Sequence, residues 1–153
     1  MIALLQRVSE ASVIVNENSP DALVTGEIGA GILALVAVEK GDSEAQADRL
    51  LERILSYRIF EDNSGRMNMN LRQADRQILL VSKFTLSANT NKGNQPTFTP
   101  AAEPAEGKRL FDYLLESARR KLGYVPTGRF GAHMKVRLVN DGPVTFNLRV
   151  PPA

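Results

Sequence analysis

Apolar positions gather into seven short runs of strand length, Ile2 to Val8, Ala11 to Val15, Leu23 to Glu27, Ile32 to Val38, Ile78 to Thr85, Met134 to Val139 and Val144 to Val150. Two longer segments repeat instead at the helical period. From Ser43 to Tyr57 the apolar residues Ala47, Leu50, Leu51, Ile54 and Leu55 share one face, with Asp42 or Ser43 available as N-cap. From Pro104 to Leu122 the stripe is Leu110, Phe111, Leu114, Leu115, Ala118 and Leu122, and Gly123 follows as a stop. Strands grouped around two helices without strict alternation predict an α+β fold, with a curved, largely antiparallel, barrel-like sheet. One domain over residues 1–153 is expected. Two polar connections stand out, Asn16 to Ala22 and Asn89 to Pro100. The second leaves directly from the end of an apolar run, and long loops beside a candidate site are often functional.

Composition narrows the chemistry. The chain of 153 residues has no Cys, which removes disulfides, thiolate metal sites and cysteine nucleophiles, and its one His, His133, cannot form a multi-histidine metal centre. No cofactor or metal is expected. The longest apolar stretch, Ile32 to Val38, is far too short to span a bilayer, so a soluble cytoplasmic protein without a membrane partner is expected. A net charge of +2 does not by itself mark a nucleic-acid binder. Cations nevertheless cluster at Arg119, Arg120 and Lys121, and again at Arg129, Lys135 and Arg137. They serve equally well as a solvated helix end or as phosphate contacts.

The segments with the most chemical promise lie far apart. Ser82-Lys83-Phe84-Thr85-Leu86-Ser87-Ala88 follows the aliphatic run Ile78 to Val81, and Asn140-Asp141-Gly142-Pro143-Val144-Thr145-Phe146 follows Val136 to Val139. Taken singly, the first reads as strand hydroxyls and the second as a tight turn. Strand alternation would point Ser82 and Phe84 one way and Lys83 and Thr85 the other. Ser82 would then lack Lys83 as a base, while Thr85 could use it only if that lysine had a lowered pKa. His133 is the other conceivable base.

The chain resembles the D-aminoacyl-tRNA deacylases, which remove D-amino acids esterified to tRNA. That family carries Ser-Gln-Phe-Thr-Leu-x-Ala and Asn-x-Gly-Pro-Val-Thr, matched at Ser82 to Ala88 and Asn140 to Thr145. Similarity continues at Met1 to Val8, Gly26 to Gly29, Tyr57 to Phe60, Met67 to Asn70 and Gly128 to Ala132, in family order along essentially the whole chain.

The resemblance implies hydrolysis of D-aminoacyl-tRNA, and of mischarged glycyl-tRNA, by a homodimer whose active site lies at the subunit interface. Ser82, Phe84 and Thr85 are the implied catalytic positions. Main-chain amides around Phe84 and Thr85 would hold the oxyanion, and the 2′-hydroxyl at the tRNA 3′ end would help activate water. Chiral selection would fall to Gly142 and Pro143, joined by a cis bond, whose carbonyls block L side chains in the partner's pocket. Asn140 and Ala88 come with their motifs as substrate-binding positions, and Arg7 and Met134 as supporting or pocket-lining groups. Two positions depart from the pattern: Lys83 stands where Gln is usual and Gln95 where Arg is common. Two other readings remain open at this level, an esterase using Thr85 as nucleophile and a non-catalytic dimer binding tRNA through its basic residues.

Overall fold

A computed structural model describes residues 1–153. Seven strands and two long helices follow in the order β1 (Ile2–Val15), β2 (Leu23–Ile28), β3 (Gly31–Ala37), α1 (Glu44–Ser56), β4 (Phe60–Glu61), β5 (Met67–Met69), β6 (Gln77–Ser82), α2 (Pro104–Leu122) and β7 (Met134–Arg149). The main sheet is curled and mixed. β1 pairs antiparallel with β2, β3 and β7, while β3 and β6 run parallel. The expectation of α+β architecture with a largely antiparallel sheet is met.

β1 joins two runs that the pattern separates. Val8 pairs with Asn140 and Glu10 with Val139, so Ser9 is an extra residue that bends the strand without ending it. The bulge changes which positions face which core. Leu5 packs into a cluster of 24 buried residues beneath the helices, whereas Val8, Ala11 and Val13 join a cluster of seven on the opposite face. Each face of the sheet therefore holds its own apolar layer.

β7 is likewise continuous where two strands were expected. Gln6 pairs with Thr145 and Val8 with Asn140, which leaves Asp141, Gly142, Pro143 and Val144 out of register opposite Arg7. The turn-rich segment is an excursion from a long strand.

The helices begin and end as their sequences predict. Ser43 caps α1, its hydroxyl accepting from the Ala45 N–H at 3.3 Å while Gln46 Oε1 accepts from the Ser43 N–H at 2.7 Å. α2 starts with Pro104 and stops at Gly123, whose N–H reaches the Arg119 carbonyl at 2.8 Å.

The sixth apolar run ends earlier than expected. The Lys83 N–H makes a last rung to the Val36 carbonyl at 2.7 Å, after which Phe84–Ser87 folds into a 3-10 turn. The Ser87 hydroxyl closes that turn by donating to the Phe84 carbonyl at 2.6 Å, a local bond that competes with strand pairing. The small β4–β5 pair was not expected. Its connection is organised by Asp62, whose Oδ1 accepts from the Ser64 and Arg66 N–H groups at 2.8 and 3.1 Å.

Candidate active site

The 3-10 turn sets the geometry of the first motif. Residues 84–87 do not alternate faces as a strand would, so the predicted opposition of Phe84 and Thr85 does not hold. A 3-10 turn leaves the first N–H groups without an internal acceptor, and here those belong to Phe84 and Thr85. Ser82 is half-buried as the last residue of β6, and Thr85 is also half-buried. Neither hydroxyl hydrogen-bonds to a side chain that could serve as a base, so the arrangement lacks a nucleophile and base pair.

The turn opens onto a cavity of about 710 Å³. Gln6, Leu33, Leu35, Val81, Val136 and Leu138 floor it on the face opposite the helix layer, and Phe111 and Phe130 form a further wall. Ser82, Lys83, Phe84, His133 and Met134 all line it. Structure thus brings together Ser82, Phe84 and Met134 of the predicted positions. Met134 sits there because Gly128 has no side chain: a Cβ at Gly128 would lie 2.6 Å from the Met134 sulfur. Sequence reasoning missed Phe98, which returns along the Asn89 to Pro100 loop to meet Phe84 with ring centroids 5.1 Å apart. Both rings are largely exposed, at 59% and 41%, an unusual position for two aromatics unless something docks on them. The Phe98 partnership crosses a polar loop that hydrophobic periodicity cannot read.

Ala88 is not in that cavity. It borders a smaller one of about 390 Å³, with Asn89 to Asn91, Glu39 and Arg149. There Arg149 donates from Nε and Nη2 to the two Glu39 carboxylate oxygens at 2.9 and 2.7 Å. Those hydrogen bonds hold the Glu39 carboxyl below its ordinary range against the opposing effect of burial, and the Met1 ammonium group adds to the lowering.

The second motif lies elsewhere. Asn140, Asp141, Gly142 and Pro143 are all exposed, and the Gly142-Pro143 bond is cis. Gly142 has φ +128°, and a Cβ there would lie 2.7 Å from Val144 Cγ2 and 3.2 Å from Arg7 Nη2. Arg7 is buried on the helix-side face, where Nη1 donates to the Ile59 carbonyl at 3.0 Å and Nε to the Asp141 carbonyl at 3.0 Å. It therefore holds the excursion to the body of the fold. Neither Arg7 nor residues 140–143 line the cavity that holds Ser82 and Phe84, so within one chain the two motifs remain separate.

Comparison with known proteins follows the same lines. The family model described as D-Tyr-tRNA(Tyr) deacylase matches residues 4–149. The chain is 57% identical to the D-aminoacyl-tRNA deacylase of Cupriavidus metallidurans, covering all of this chain and 98% of the relative. It is 60% identical to the D-aminoacyl-tRNA deacylase of Thioalkalivibrio sulfidiphilus over 99% of both chains. Among solved structures, the c-Myc DNA unwinding element binding protein superimposes with a TM-score of 0.91 at 34% identity, covering 99% of each chain. A probable eukaryotic D-amino acid tRNA deacylase shares the fold with a TM-score of 0.80 at 17% identity, over 96% of this chain and 98% of that one.

Proposed function

The chain belongs to the D-Tyr-tRNA(Tyr) deacylase family and is an aminoacyl-tRNA hydrolase, and on that premise we propose how it hydrolyses and selects its substrate. The reaction is cleavage of the ester joining a D-amino acid, or misplaced glycine, to the 3′ end of tRNA. The observation that carries this reading is a 3-10 turn, not a titratable pair, at the mouth of a large apolar cavity.

An aminoacyl ester is already activated, so hydrolysis needs a positioned water and a stabilised oxyanion more than a strong base. The N–H groups of Phe84 and Thr85 supply the oxyanion donors. The 2′-hydroxyl of the terminal ribose polarises the water, which adds to the ester carbon; the proton it gives up passes through the 2′-oxygen to the ribose 3′-oxygen, which leaves as a hydroxyl when the tetrahedral species collapses. Ser82 and Met134 border the space in which the ester lies, and the exposed Phe84 and Phe98 rings offer stacking surface to the terminal bases.

Selection comes from a second copy of the chain. The 140–143 excursion is exposed, anchored by Arg7 and remote from its own cavity, features suited to insertion into a neighbour's site. In the homodimer, the carbonyls of Gly142 and Pro143 enter the partner's cavity and occupy the space an L side chain would need. Rejection is therefore steric, and the identity of a D side chain matters little. Asn140 begins the excursion, and Ala88 ends the catalytic turn without touching substrate. The enzyme works in the cytoplasm, where its substrate is made, and uses no cofactor.

The test is turnover of D-tyrosyl-tRNA followed by acid quench and mass measurement of the protein. Ester loss above the buffer rate with no acylated protein supports the reading. A trapped acyl-enzyme would transfer the assignment to a Thr85 or Ser82 nucleophile.

A further inference from the structure

The large cavity contains an electrostatic asymmetry that the hydrolytic reading leaves unused. Fourteen of its 21 lining residues are hydrophobic, and the ionisable ones are Lys83 and His133 alone. Within one chain no carboxylate lines it. Lys83 reaches it from the strand end that launches the catalytic turn, and His133 from the segment leading into β7. Both are exposed, and neither side chain forms an ion pair or hydrogen bond with another residue. Ten of the chain's other cationic side chains, Arg109 and Arg149 among them, are already engaged by carboxylates, carbonyls, an amide or a hydroxyl.

An apolar cavity with basic groups and no acid suits a ligand with a flat or greasy body and one anionic group. Resting on the hydrolytic reading, the ligand's parts can be assigned by charge. The amino acid's carboxyl is esterified and neutral, and its α-ammonium is repelled by Lys83. The remaining anion is the phosphodiester on the 5′ side of the esterified nucleotide. We propose that Lys83 and His133 together receive that phosphate, so that this chain binds the last internucleotide linkage of the acceptor end as well as its terminal ribose. Lys83 contributes a point charge at a position where the family usually has a neutral amide, and His133, from the segment leading into β7, adds hydrogen-bond donation. Both are specificity determinants for an RNA-borne ester over a simple one.

Two small substrates isolate the contact: the D-tyrosyl ester of adenosine, which has no phosphate, and the D-tyrosyl ester of cytidylyl-(3′→5′)-adenosine, which has one. The intact protein is expected to show a KM at least about fivefold lower for the dinucleotide, as a charge-assisted contact would give. Lys83→Gln and His133→Gln each reduce that preference, the double variant brings the ratio near one, and Lys83→Arg retains it. KM for the dinucleotide should rise with salt in the intact protein, because a charged contact is screened, and lose most of that dependence in Lys83→Gln, whereas Lys121→Gln, at the exposed end of α2, leaves both readouts as they were. Equal KM values for the two substrates in the intact protein, or a preference that survives in the double variant, overturns the phosphate contact and leaves the hydrolytic reading standing. Failure of the intact protein to hydrolyse either substrate overturns the hydrolytic reading and the contact with it.

Discussion

Arg7 Nε donates to the Asp141 carbonyl at 3.0 Å across 134 residues of sequence, while the same side chain donates through Nη1 to Ile59. The guanidinium is buried and the Asp141 side chain largely exposed, so the carbonyl bond fixes backbone, and the accompanying 3.5 Å contact to Asp141 Oδ2 is a screened ion pair that adds little. Arg7→Ala leaves two carbonyls without their donor and should cost about 1–3 kcal/mol. Because the excursion then loses its anchor, the ratio of D-ester to L-ester hydrolysis should fall more than the D-ester rate itself. Denaturant melts and paired ester assays measure the two effects separately.

Thr85→Ala tests whether the hydroxyl or the backbone carries the chemistry. Backbone N–H groups survive the substitution, so turnover of D-tyrosyl-tRNA should stay within about tenfold of the original, whereas loss of a true general base or nucleophile would cost about a hundredfold or more. Single-turnover rates with saturating enzyme decide between the two.

Gly128→Ala probes the cavity wall. The new Cβ would meet the Met134 sulfur at 2.6 Å, and the flexible thioether must move away from the wall it lines. Stability should fall by about 1 kcal/mol or less. KM for the D-ester should rise while kcat changes little, read from steady-state kinetics.

The Glu39–Arg149 pair gives the fold an acid-sensitive contact. Glu39 has its pKa lowered in the folded chain, first by the Arg149 hydrogen bonds, so its stabilisation is fully present above the unfolded carboxylate value of about 4.3 and is lost as pH falls through the lower folded value. Glu39→Gln should therefore lower the melting temperature at pH 7. The gap between variant and parent should narrow below about pH 4. Melting curves across that range check the sign.

Much of this was legible in sequence because periodicity reports burial. Both helices, their caps at Ser43 and Gly123, and the cores they cover follow from spacing alone. Periodicity fails where a single residue changes register without changing polarity. Ser9 bends β1 and exchanges its faces, yet as a polar residue between two runs it reads as a break. Phe84 and Thr85 carry good strand propensity, but the Ser87 hydroxyl bonds back to Phe84 and turns the chain. That turn is what presents two free amides at the site. The motif residues were recognisable in sequence, whereas the separation of Arg7 and Gly142 from the Ser82 cavity depends on sheet faces that only pairing reveals.

The proposed selection across a subunit interface predicts its own signature. A protein carrying Gly142→Ala, strained at φ +128° and crowded by Val144 and Arg7, is mixed and reassembled with one whose Phe84 is replaced by Asp. Each alone should be deficient in D-selective turnover. Mixed dimers contain one subunit pair in which an intact cavity meets an intact excursion, so mixing should restore activity above the mean of the two parents, measured after exchange under mild denaturant.

The central measurement is the hydrolysis rate of D-tyrosyl-tRNA against L-tyrosyl-tRNA for the intact protein and for Gly142→Ala. The account predicts rapid loss of the D ester alone, and a D-to-L ratio that falls by about a hundredfold in the variant, as expected when a selecting group is displaced by about an ångström. Equal rates for both esters in the intact protein, or survival of both at the buffer rate, would contradict it.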